Sequence, residues 1–251
     1  MPASAQSSPC SPTDAALRRP GPDLTIDPPG PFAPWRELRS PVDWLHLAAT
    51  WRRLPNGPAP SPRTAVLLPG LGASPLSMSV LAQALRRREH TAVSWGLGRN
   101  GGNVPALLPR VVERFDDAAQ RAGEPIVAIG WSLGGYLARE AARERPDLVR
   151  QLVTLGSPVV GGPSYTTVAN WYRVRGYDLG SIRETVAERY ATPLEVPVLA
   201  LYSKRDGVVA WRACIDHWSP QVRHVEVDAT HFSLGSSSEA LRHVVDQVDA
   251  S

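Results

Sequence analysis

The stretch IVAIGWSLGGYLAREAARER at residues 126–145 decides the fold, because it joins a short apolar strand to a helix through one glycine-rich turn. The turn reads GWSLG at 130–134, a G-x-S-x-G pattern that has chemical meaning between a strand and a helix. A serine on so sharp a turn projects its hydroxyl above the sheet, and the flanking glycines leave room for the neighbouring strand and helix. A chance serine in a glycine-rich turn is the alternative. The strand before the turn and the helix after it favour Ser132 as a nucleophile.

Strands and helices alternate on both sides of this turn. Alternation of this kind is typical of a parallel sheet with helices on its faces. The sequence therefore predicts an α/β fold with a mostly parallel sheet of about six strands. Leu108, Val111 and Phe115 share one helix face, and Pro109 limits how early that helix can begin. The predicted strands cover residues 64–68, 91–95, 126–130, 152–155, 198–202 and 222–227.

Composition excludes several classes of protein. The 251 residues are enough for one large α/β domain, and 27 basic against 24 acidic residues are too weak an excess to indicate nucleic-acid binding. Cys10 and Cys214 are too few for a disulfide framework, and no cluster of histidines, cysteines and carboxylates has the spacing of metal ligands. No apolar run reaches the roughly 18 residues of a membrane-spanning helix, and the N-terminus lacks the pattern of a secretory signal. We therefore expect a cytoplasmic protein without a metal or another cofactor.

The chain divides into three predicted regions. Residues 1–34 hold nine of the 25 prolines and are predicted to be a disordered tail. Residues 35–62 are predicted to form a helix and a linker, and residues 63–251 a single α/β domain. The helix, over 35–54, has apolar side chains at a rough helical spacing, and the favoured interpretation packs it on the sheet or its edge. The alternative is an amphipathic helix that contacts a membrane.

A nucleophilic serine needs a base and an acid. His231 is the best placed of the six histidines, because it follows the last predicted strand by a short loop at the carboxyl edge of the sheet, where Ser132 also lies. Asp206, just beyond the strand at 198–202, is the favoured carboxylate. Asp228, three residues before His231, is its competitor. The chain order serine, aspartate, histidine is the one expected for a serine on a strand–turn–helix.

Two backbone amides are predicted to bind the oxyanion of an acyl-transfer reaction. One is the N–H of Leu133, directly after the serine, and the other is the N–H of Leu71 in the PGLG loop at 69–72. That loop lacks the G-x-x-x-x-G-K-[ST] spacing of a nucleotide-binding loop, so no nucleotide is expected. The glycine-rich run at 98–103 fails the same test and is expected to shape the wall of the pocket.

The alternation breaks over residues 159–195, where the chain is rich in tyrosine and tryptophan. We expect a small insertion over the sheet, with a helix that begins at a Ser–Glu capping box at 181–184. Trp171 and Tyr172 in this insertion, together with Trp131 beside the serine, are the predicted substrate-binding side chains. The insertion is either a mobile lid over the acyl pocket or a fixed cap that completes the core.

Five short motifs carry a family resemblance: LLPGLGAS at 67–74, GWSLGG at 130–135, LGSP at 155–158, YSKRDGVV at 202–209 and Thr230-His231. They resemble the α/β-hydrolase superfamily and, more narrowly, bacterial lipase- and esterase-like serine hydrolases, over about residues 60–250. The resemblance implies the α/β-hydrolase fold with a lid insertion after the strand at 152–155. It also implies hydrolysis of a carboxylic ester through an acyl-enzyme on Ser132, with Asp206 and His231 completing a catalytic triad.

Two features depart from many members of that superfamily. The loop after the first strand has Pro69-Gly70 where many relatives have His-Gly, a change that leaves the backbone donor intact. Residues 35–54 have the pattern of a helix, which leaves little room for the two antiparallel strands that often open the fold.

Four functions are compatible with these residues. Hydrolysis of a small-molecule or lipid-like acyl ester leads, because the aromatic insertion favours an apolar pocket. A thioesterase or acyltransferase would use the same residues with a different acceptor. A non-catalytic binding protein on the same fold is disfavoured by the intact Ser132, Asp206 and His231. Peripheral contact with a membrane through residues 35–54 is the fourth.

Overall fold

A computed structural model describes residues 26–251 and contains one parallel sheet. Its strands are β1 (Thr64–Leu68), β2 (Thr91–Ser94), β3 (Ile126–Trp131), β4 (Val149–Leu155), β5 (Val198–Tyr202) and β6 (Val222–Glu226). Their order is β2-β1-β3-β4-β5-β6, and every neighbouring pair is parallel, which confirms the predicted sheet of about six strands. β4 begins at Val149 rather than at Leu152, because the polar Gln151 is buried there and pairs with Val127.

Helices cover both faces of the sheet: α1 (Ser40–Thr50), α2 (Ser79–Arg86), α3 (Val104–Ala122), α4 (Leu133–Glu144), α5 (Ala169–Val174), α6 (Leu179–Arg189) and α7 (Ser238–Asp249). In β1, Ala65 and Leu67 pack towards α2 and α7, whereas Val66 and Leu68 pack towards α3 and α4. Because both faces are covered, β1 reads as a continuous apolar run. Within the described residues, each helix is too short or too polar to span a lipid bilayer.

Helix α3 begins at Val104, earlier than the prediction based on Pro109 allowed. The Asn103 side chain caps its start by accepting a hydrogen bond from the Ala106 amide at 3.2 Å. Pro109 lies on the exposed side of the helix, and the hydrogen bond it cannot donate would have gone to the carbonyl of Pro105, also exposed. Solvent can hydrate that carbonyl, so the helix continues through the proline.

Helix α6 of the insertion begins at Leu179 and not at the predicted capping box. Its N-cap is Asp178, whose carboxylate accepts hydrogen bonds from the amides of Gly180 at 3.0 Å and Ser181 at 3.2 Å. One aspartate thus satisfies two of the N–H groups that a helix start leaves free. The predicted cap, Ser181, lies inside the first turn.

The N-terminal segment, residues 33–53, consists of α1 with a 3₁₀ helix at either end. The predicted packing of apolar side chains on the sheet holds for part of the segment, because Leu47 and Leu54, the residue directly after the segment, are buried in the core cluster that includes Ala65 and Leu67 of β1. Glu37 and Asp43 face inwards and are buried, because both carboxylates accept hydrogen bonds from the loop around His231. The outward face carries exposed apolar side chains, those of Trp35, Leu38, Val42 and Leu45.

The disordered tail predicted for residues 1–34 falls mainly outside the described residues. Residue 26 is the first that the structure describes. Ile26 is buried in a small apolar cluster with Val159, Val209 and Cys214. The chain at Ile26 is therefore attached to the domain, beside the loop that follows β5.

Candidate active site

The serine of the glycine-rich turn has a backbone conformation that residues with side chains rarely adopt. Ser132, between β3 and α4, has φ +54° and ψ −124°. Its amide donates to the Leu155 carbonyl at 2.8 Å, and its carbonyl accepts from the Gly135 amide at 3.0 Å. A conformation of this kind costs about 1–3 kcal/mol and persists where the surrounding structure enforces it. The turn therefore fixes the Ser132 hydroxyl at the carboxyl end of the sheet.

Three glycines of the turn make room for this arrangement. A methyl group on Gly134 would overlap the carbonyl of Leu68 at the end of β1. A methyl group on Gly130 would overlap Gly134, and one on Gly135 would overlap the hydroxyl of Ser157. The start of α4 is consequently pressed against the neighbouring strands, and each of these positions requires glycine.

The structure brings His231 and Asp206 together. His231 Nδ1 lies 2.7 Å from Asp206 Oδ2, and the two residues are 2% and 4% exposed. Asp206 Oδ1 accepts hydrogen bonds from the amides of Val208 at 2.8 Å and Val209 at 2.7 Å. The competing carboxylate, Asp228, instead lies at the surface in an ion pair with an arginine. Both oxygens of Asp206 are thus held, and one of them faces the histidine.

Gly156, directly after β4, lies against this pair. A Cβ at Gly156 would be 3.1 Å from Asp206 Oδ2 and 3.3 Å from His231 Nδ1, and it would also approach Leu234 too closely. The residue has φ +56°, a conformation that favours glycine. Gly156 therefore allows Asp206 and His231 to approach the end of the sheet.

Trp131 borders the histidine rather than the substrate cavity described below. Its indole N–H donates to the His231 carbonyl at 3.0 Å, and the two ring centroids are 5.4 Å apart. Trp131 is also the residue directly before Ser132 in the chain. One side chain thus links the turn that carries the serine to the loop that carries the histidine.

Leu71 and Leu133, whose amides are the predicted oxyanion donors, line the same cavity as Ser132. Within the described part of the chain, neither the Leu71 amide nor the Leu133 amide donates to another protein group. The buried Asn100 shapes the loop that carries Leu71. Its side-chain NH₂ group donates to the Pro69 carbonyl at 2.9 Å, and its backbone carbonyl accepts from the Gly72 amide at 2.8 Å.

A cavity of about 290 Å³ opens beside Ser132. Tyr172 lines it, whereas Trp171 lies outside its lining, stacked edge-on against Tyr172. Burial, and the neighbouring Tyr177, raise the pKa of Tyr172 to about 12, so its hydroxyl remains protonated near neutral pH. The other walls are mainly apolar and include Val104, Tyr136, Pro158, Val168, Ile182 and Val186. The site thus offers an apolar chamber to one side of the serine.

The insertion at 159–195 is attached to the loop that carries Asp206. Thr166 forms an antiparallel bridge with Val209, and the Thr167 amide donates to the Val208 carbonyl at 2.9 Å. The first part of the insertion is therefore anchored to residues 208–209, directly after Asp206 and Gly207. Helices α5 and α6 follow this anchor and supply the outer wall of the cavity.

The described residues around Asp206 and His231 contain no cluster of side chains suited to bind a metal ion. Among residues 26–251, no three histidine, cysteine, aspartate or glutamate side chains lie together so that they could hold a metal ion. Cys214 is buried near Asp206, and burial together with the Asp206 charge raises the pKa of its thiol well above the usual value. A thiol kept protonated in this way is a weak ligand and a weak nucleophile.

The chain matches the family model described as "Alpha/beta hydrolase family" over residues 65–248. This chain belongs to the alpha/beta hydrolase family. The match confirms the resemblance inferred from the sequence motifs, and it includes Ser132, Asp206 and His231 within its limits.

Curated relatives of this alpha/beta hydrolase are named as esterases. A pimeloyl-[acyl-carrier protein] methyl ester esterase of Edwardsiella ictaluri is 33% identical over 115 residues, which cover 45% of this chain and 42% of that protein. A protein of the same name from Vibrio vulnificus is 27% identical over 135 residues, which cover 52% of this chain and 49% of that protein. The chain therefore matches less than half the length of either relative.

Solved structures similar to this alpha/beta hydrolase include lipases. A Bacillus licheniformis lipase has a TM-score of 0.57 at 15% identity, covering 78% of this chain and 95% of the lipase. A monoacylglycerol lipase of Paleococcus ferrophilus has a TM-score of 0.56 at 16% identity, covering 78% and 96%. At these identities the likeness concerns the fold alone.

Three residues that shape the site of this alpha/beta hydrolase carry no role in the sequence prediction. Asn100 stood in the glycine-rich run at 98–103, where an asparagine followed by glycine is a signal for a structured turn. Gly156 stood in the LGSP motif, where a glycine directly after a strand indicates a close backbone approach. Glu37 had no local signal, because its hydrogen-bond partners are backbone amides far away in the chain.

Proposed function

We propose that this alpha/beta hydrolase cleaves a carboxylic ester through an acyl-enzyme on Ser132. The observation that carries the proposal is the buried hydrogen bond between Asp206 and His231, together with a serine held at positive φ whose chain neighbour Trp131 contacts His231. A strained serine backbone and a buried histidine that is hydrogen-bonded to a carboxylate are features of sites where a hydroxyl is activated as a nucleophile. The names of the esterase relatives support the same reaction class.

Each residue has one role in the proposed reaction. Ser132 Oγ attacks the ester carbonyl carbon while His231 Nε2 takes the hydroxyl proton, and the N–H groups of Leu71 and Leu133 hold the oxyanion. When this tetrahedral intermediate collapses, the bond to the alcohol oxygen breaks, and that oxygen receives the proton from His231. Water then loses a proton to His231 and attacks the acyl group. The carboxylic acid product leaves, and His231 returns the proton to Ser132 Oγ.

The acyl group is proposed to occupy the apolar cavity. Its volume of about 290 Å³ is at the lower end of the range for small-molecule sites, which suits a short or medium acyl chain better than a long one. The walls on this side are aliphatic and aromatic, and the protonated Tyr172 hydroxyl can donate one hydrogen bond to a polar group on the chain. The substrate class is therefore an ester with a mainly apolar acyl part.

A p-nitrophenyl ester series from short to long acyl chains tests the activity. We expect hydrolysis that falls at long chain lengths, and a loss of about 10⁴-fold or more in turnover for Ser132→Ala. Ser79→Ala, which alters an exposed serine, is the matched control and should retain full activity. Hydrolysis by Ser132→Ala at the rate of the control would contradict the proposal.

A thioesterase or acyltransferase is the second candidate, because Ser132 opens into an apolar cavity and the acyl-enzyme there can meet an acceptor other than water. The same assay with added alcohols, amines or thiols separates the two. Transfer products that exceed the free acid at modest acceptor concentration would favour acyl transfer. A protein that binds esters without any turnover would indicate the non-catalytic alternative.

We also propose that the N-terminal segment contacts an anionic lipid surface. Trp35, Leu38 and Leu45 are 68%, 69% and 71% exposed on its outward face. An apolar face of this extent indicates a binding partner. The exposed arginines of the segment favour lipid head groups with negative charge, and the tryptophan suits the depth of those head groups. These arginines are Arg36, Arg39, Arg52 and Arg53.

Co-sedimentation with vesicles tests this contact. We expect the full chain to bind vesicles that contain phosphatidylglycerol better than neutral ones, and the double variant Trp35→Gln, Leu45→Gln to lose binding. Leu76→Gln, which alters an exposed leucine outside the segment, is the control. Equal sedimentation of the double variant and the wild type would contradict the proposal. Point substitutions are needed because deletion of the segment would also remove Glu37 and Asp43.

A further inference from the structure

Glu37 is a buried carboxylate of the N-terminal segment that reaches both loops of the Asp206–His231 pair. Its Oε1 accepts hydrogen bonds from the Gly207 amide at 2.8 Å and from the His231 amide at 3.0 Å. Its Oε2 accepts one from the Phe232 amide at 3.0 Å. Because Gly207 directly follows Asp206, a single carboxylate holds the backbone next to the acid and the backbone of the base.

The contact between Glu37 and the acid loop is close. A Cβ at Gly207 would overlap the Ala33 carbonyl and come within 2.9 Å of Glu37 Oε1. Ala33 and Glu37 both belong to the 3₁₀ helix Ala33–Arg39, so the loop at Gly207 packs against that helix through its backbone. Glycine at position 207 is what permits this approach.

A second buried carboxylate, Asp43 of α1, holds the base loop from the other side. It accepts hydrogen bonds from the Ser233 hydroxyl at 2.5 Å and the Thr230 amide at 3.3 Å. The hydroxyls of Ser40 and Thr230 are also hydrogen-bonded, at 2.7 Å. Among the described residues, the hydrogen bonds of Asp43 go to the base loop, whereas those of Glu37 bridge both loops.

We propose that Glu37 is a positioning residue that sets the geometry of the Asp206–His231 pair. The inference rests on the proposed function, because it acts through the residues assigned there as acid and base. Glu37 acts on the loop backbones rather than on the reacting atoms. The N-terminal segment is accordingly part of the structure that holds the active site together.

The chemistry of the contact requires a carboxylate. Three N–H groups converge on Glu37, and an ionised carboxylate offers two oxygens that accept only, while an amide has one oxygen and an NH₂ group that donates. Hydrogen bonds from backbone amides to a charged oxygen are stronger than neutral ones. In Glu37→Gln, the side-chain NH₂ group would therefore face a backbone N–H that a carboxylate oxygen of the native residue binds.

Loss of this contact should affect the chemical step more than substrate binding. The Glu37 carboxylate ties the backbone at Gly207 to the backbone at His231, and so fixes from outside the two loops that the Asp206–His231 hydrogen bond joins. A displacement of about 1 Å in a reacting group can cost on the order of 100-fold in rate. The acyl cavity is lined by other residues, so KM should change little.

The experiment compares the full chain with Glu37→Gln and with Glu113→Gln, a control at an exposed position on α3. Three quantities are measured: kcat and KM on a short p-nitrophenyl ester, the melting temperature, and the low-field proton resonance of the His231 Nδ1 hydrogen. We expect Glu37→Gln to lose about 10- to 100-fold in kcat, with KM changed by less than about threefold. We also expect a shifted or broadened resonance, and no change in the control.

A Glu37→Gln protein that keeps kcat within about twofold and an unshifted resonance would overturn the proposal, whatever its melting temperature. If Glu37→Gln does not fold, Glu37→Asp replaces it, because aspartate keeps the charge and withdraws both oxygens by one methylene. Glu37→Asp should lose part of kcat and shift the resonance, and wild-type values for both would overturn the proposal. If the wild type hydrolyses no ester, the proposed function fails, and the resonance still tests the role of Glu37.

Discussion

Asp206 Oδ2 accepts a hydrogen bond from His231 Nδ1 at 2.7 Å, in surroundings closed to solvent. An ionised carboxylate can only accept, so the hydrogen between the two atoms belongs to His231. The neutral ring then has its lone pair on Nε2, the atom that must take a proton from a serine. This relationship gives Asp206 and His231 distinct roles that substitution can test.

Asp206→Asn should cost far more activity than Asp228→Asn. The amide group would donate to Nδ1 and favour the wrong tautomer of His231, for which a loss of about 10⁴-fold in kcat is the expected scale. Asp228 lies at the surface beside Arg205 and is the matched control. Ester hydrolysis by the two variants measures the difference. A larger loss in Asp228→Asn would reverse the assignment of the acid.

Gly156→Ala should reduce activity as well as stability. Its Cβ would press on Asp206 and His231, and its φ of +56° adds backbone strain. Gly123 has φ +70° and open space around it, so Gly123→Ala imposes similar strain without the contact. Both variants should lose roughly 1 kcal/mol of stability or more from strain. Steady-state kinetics beside thermal unfolding should show the loss of kcat in Gly156→Ala, and equal kcat values would contradict the contact.

Tyr172→Ala should change the preference for acyl chain length, because Tyr172 lines the cavity. The ratio of kcat/KM for long over short esters should change by about 10-fold, the scale for losing a buried aromatic contact. Trp171→Ala removes a neighbouring ring from outside the lining and should alter the ratio less. If stability falls in Tyr172→Ala while the ratio stays constant, the insertion is a structural cap and acyl selection lies elsewhere.

Protonation of Asp216 should lower the free energy of unfolding at low pH. Burial disfavours its charged form, but Arg139, at 2.5 Å, and the Trp218 amide lower its pKa from 3.8 to about 2. A carboxyl whose pKa is lowered on folding contributes stability above about pH 4, and this contribution is lost as pH falls towards 2. It amounts to about 2 kcal/mol. Denaturant unfolding between pH 5 and pH 2 should show this loss in the wild type and a flatter profile in Asp216→Asn, and parallel profiles would contradict it.

The sheet could be predicted because its signals are local. β1 and β3 are short runs of buried aliphatic residues, and the turn at Ser132 is marked by its own glycines. Pro109 and the Ser181–Glu184 capping box led the prediction to place two helix starts too late by roughly one turn, because solvent exposure and a choice between neighbouring caps decide such helix starts.

The N-terminal segment could not be predicted in the same way. Its apolar side chains suggested an inward face, yet Glu37 and Asp43 face inwards because they find amide and hydroxyl donors in the loop around His231. Those donors are about 190 residues away in the chain, and periodicity reports only whether a residue is polar. A buried carboxylate and a solvated one are therefore identical in sequence until the fold supplies partners.

Covalent labelling by a fluorophosphonate, followed by peptide mapping, tests most directly whether Ser132 is the nucleophile. The account predicts one labelled site, Ser132, in the wild type, no labelling of Ser132→Ala, and much slower labelling of Asp206→Asn because its His231 cannot take the proton. Labelling of another serine, or labelling of Ser132→Ala at the wild-type rate, would contradict it.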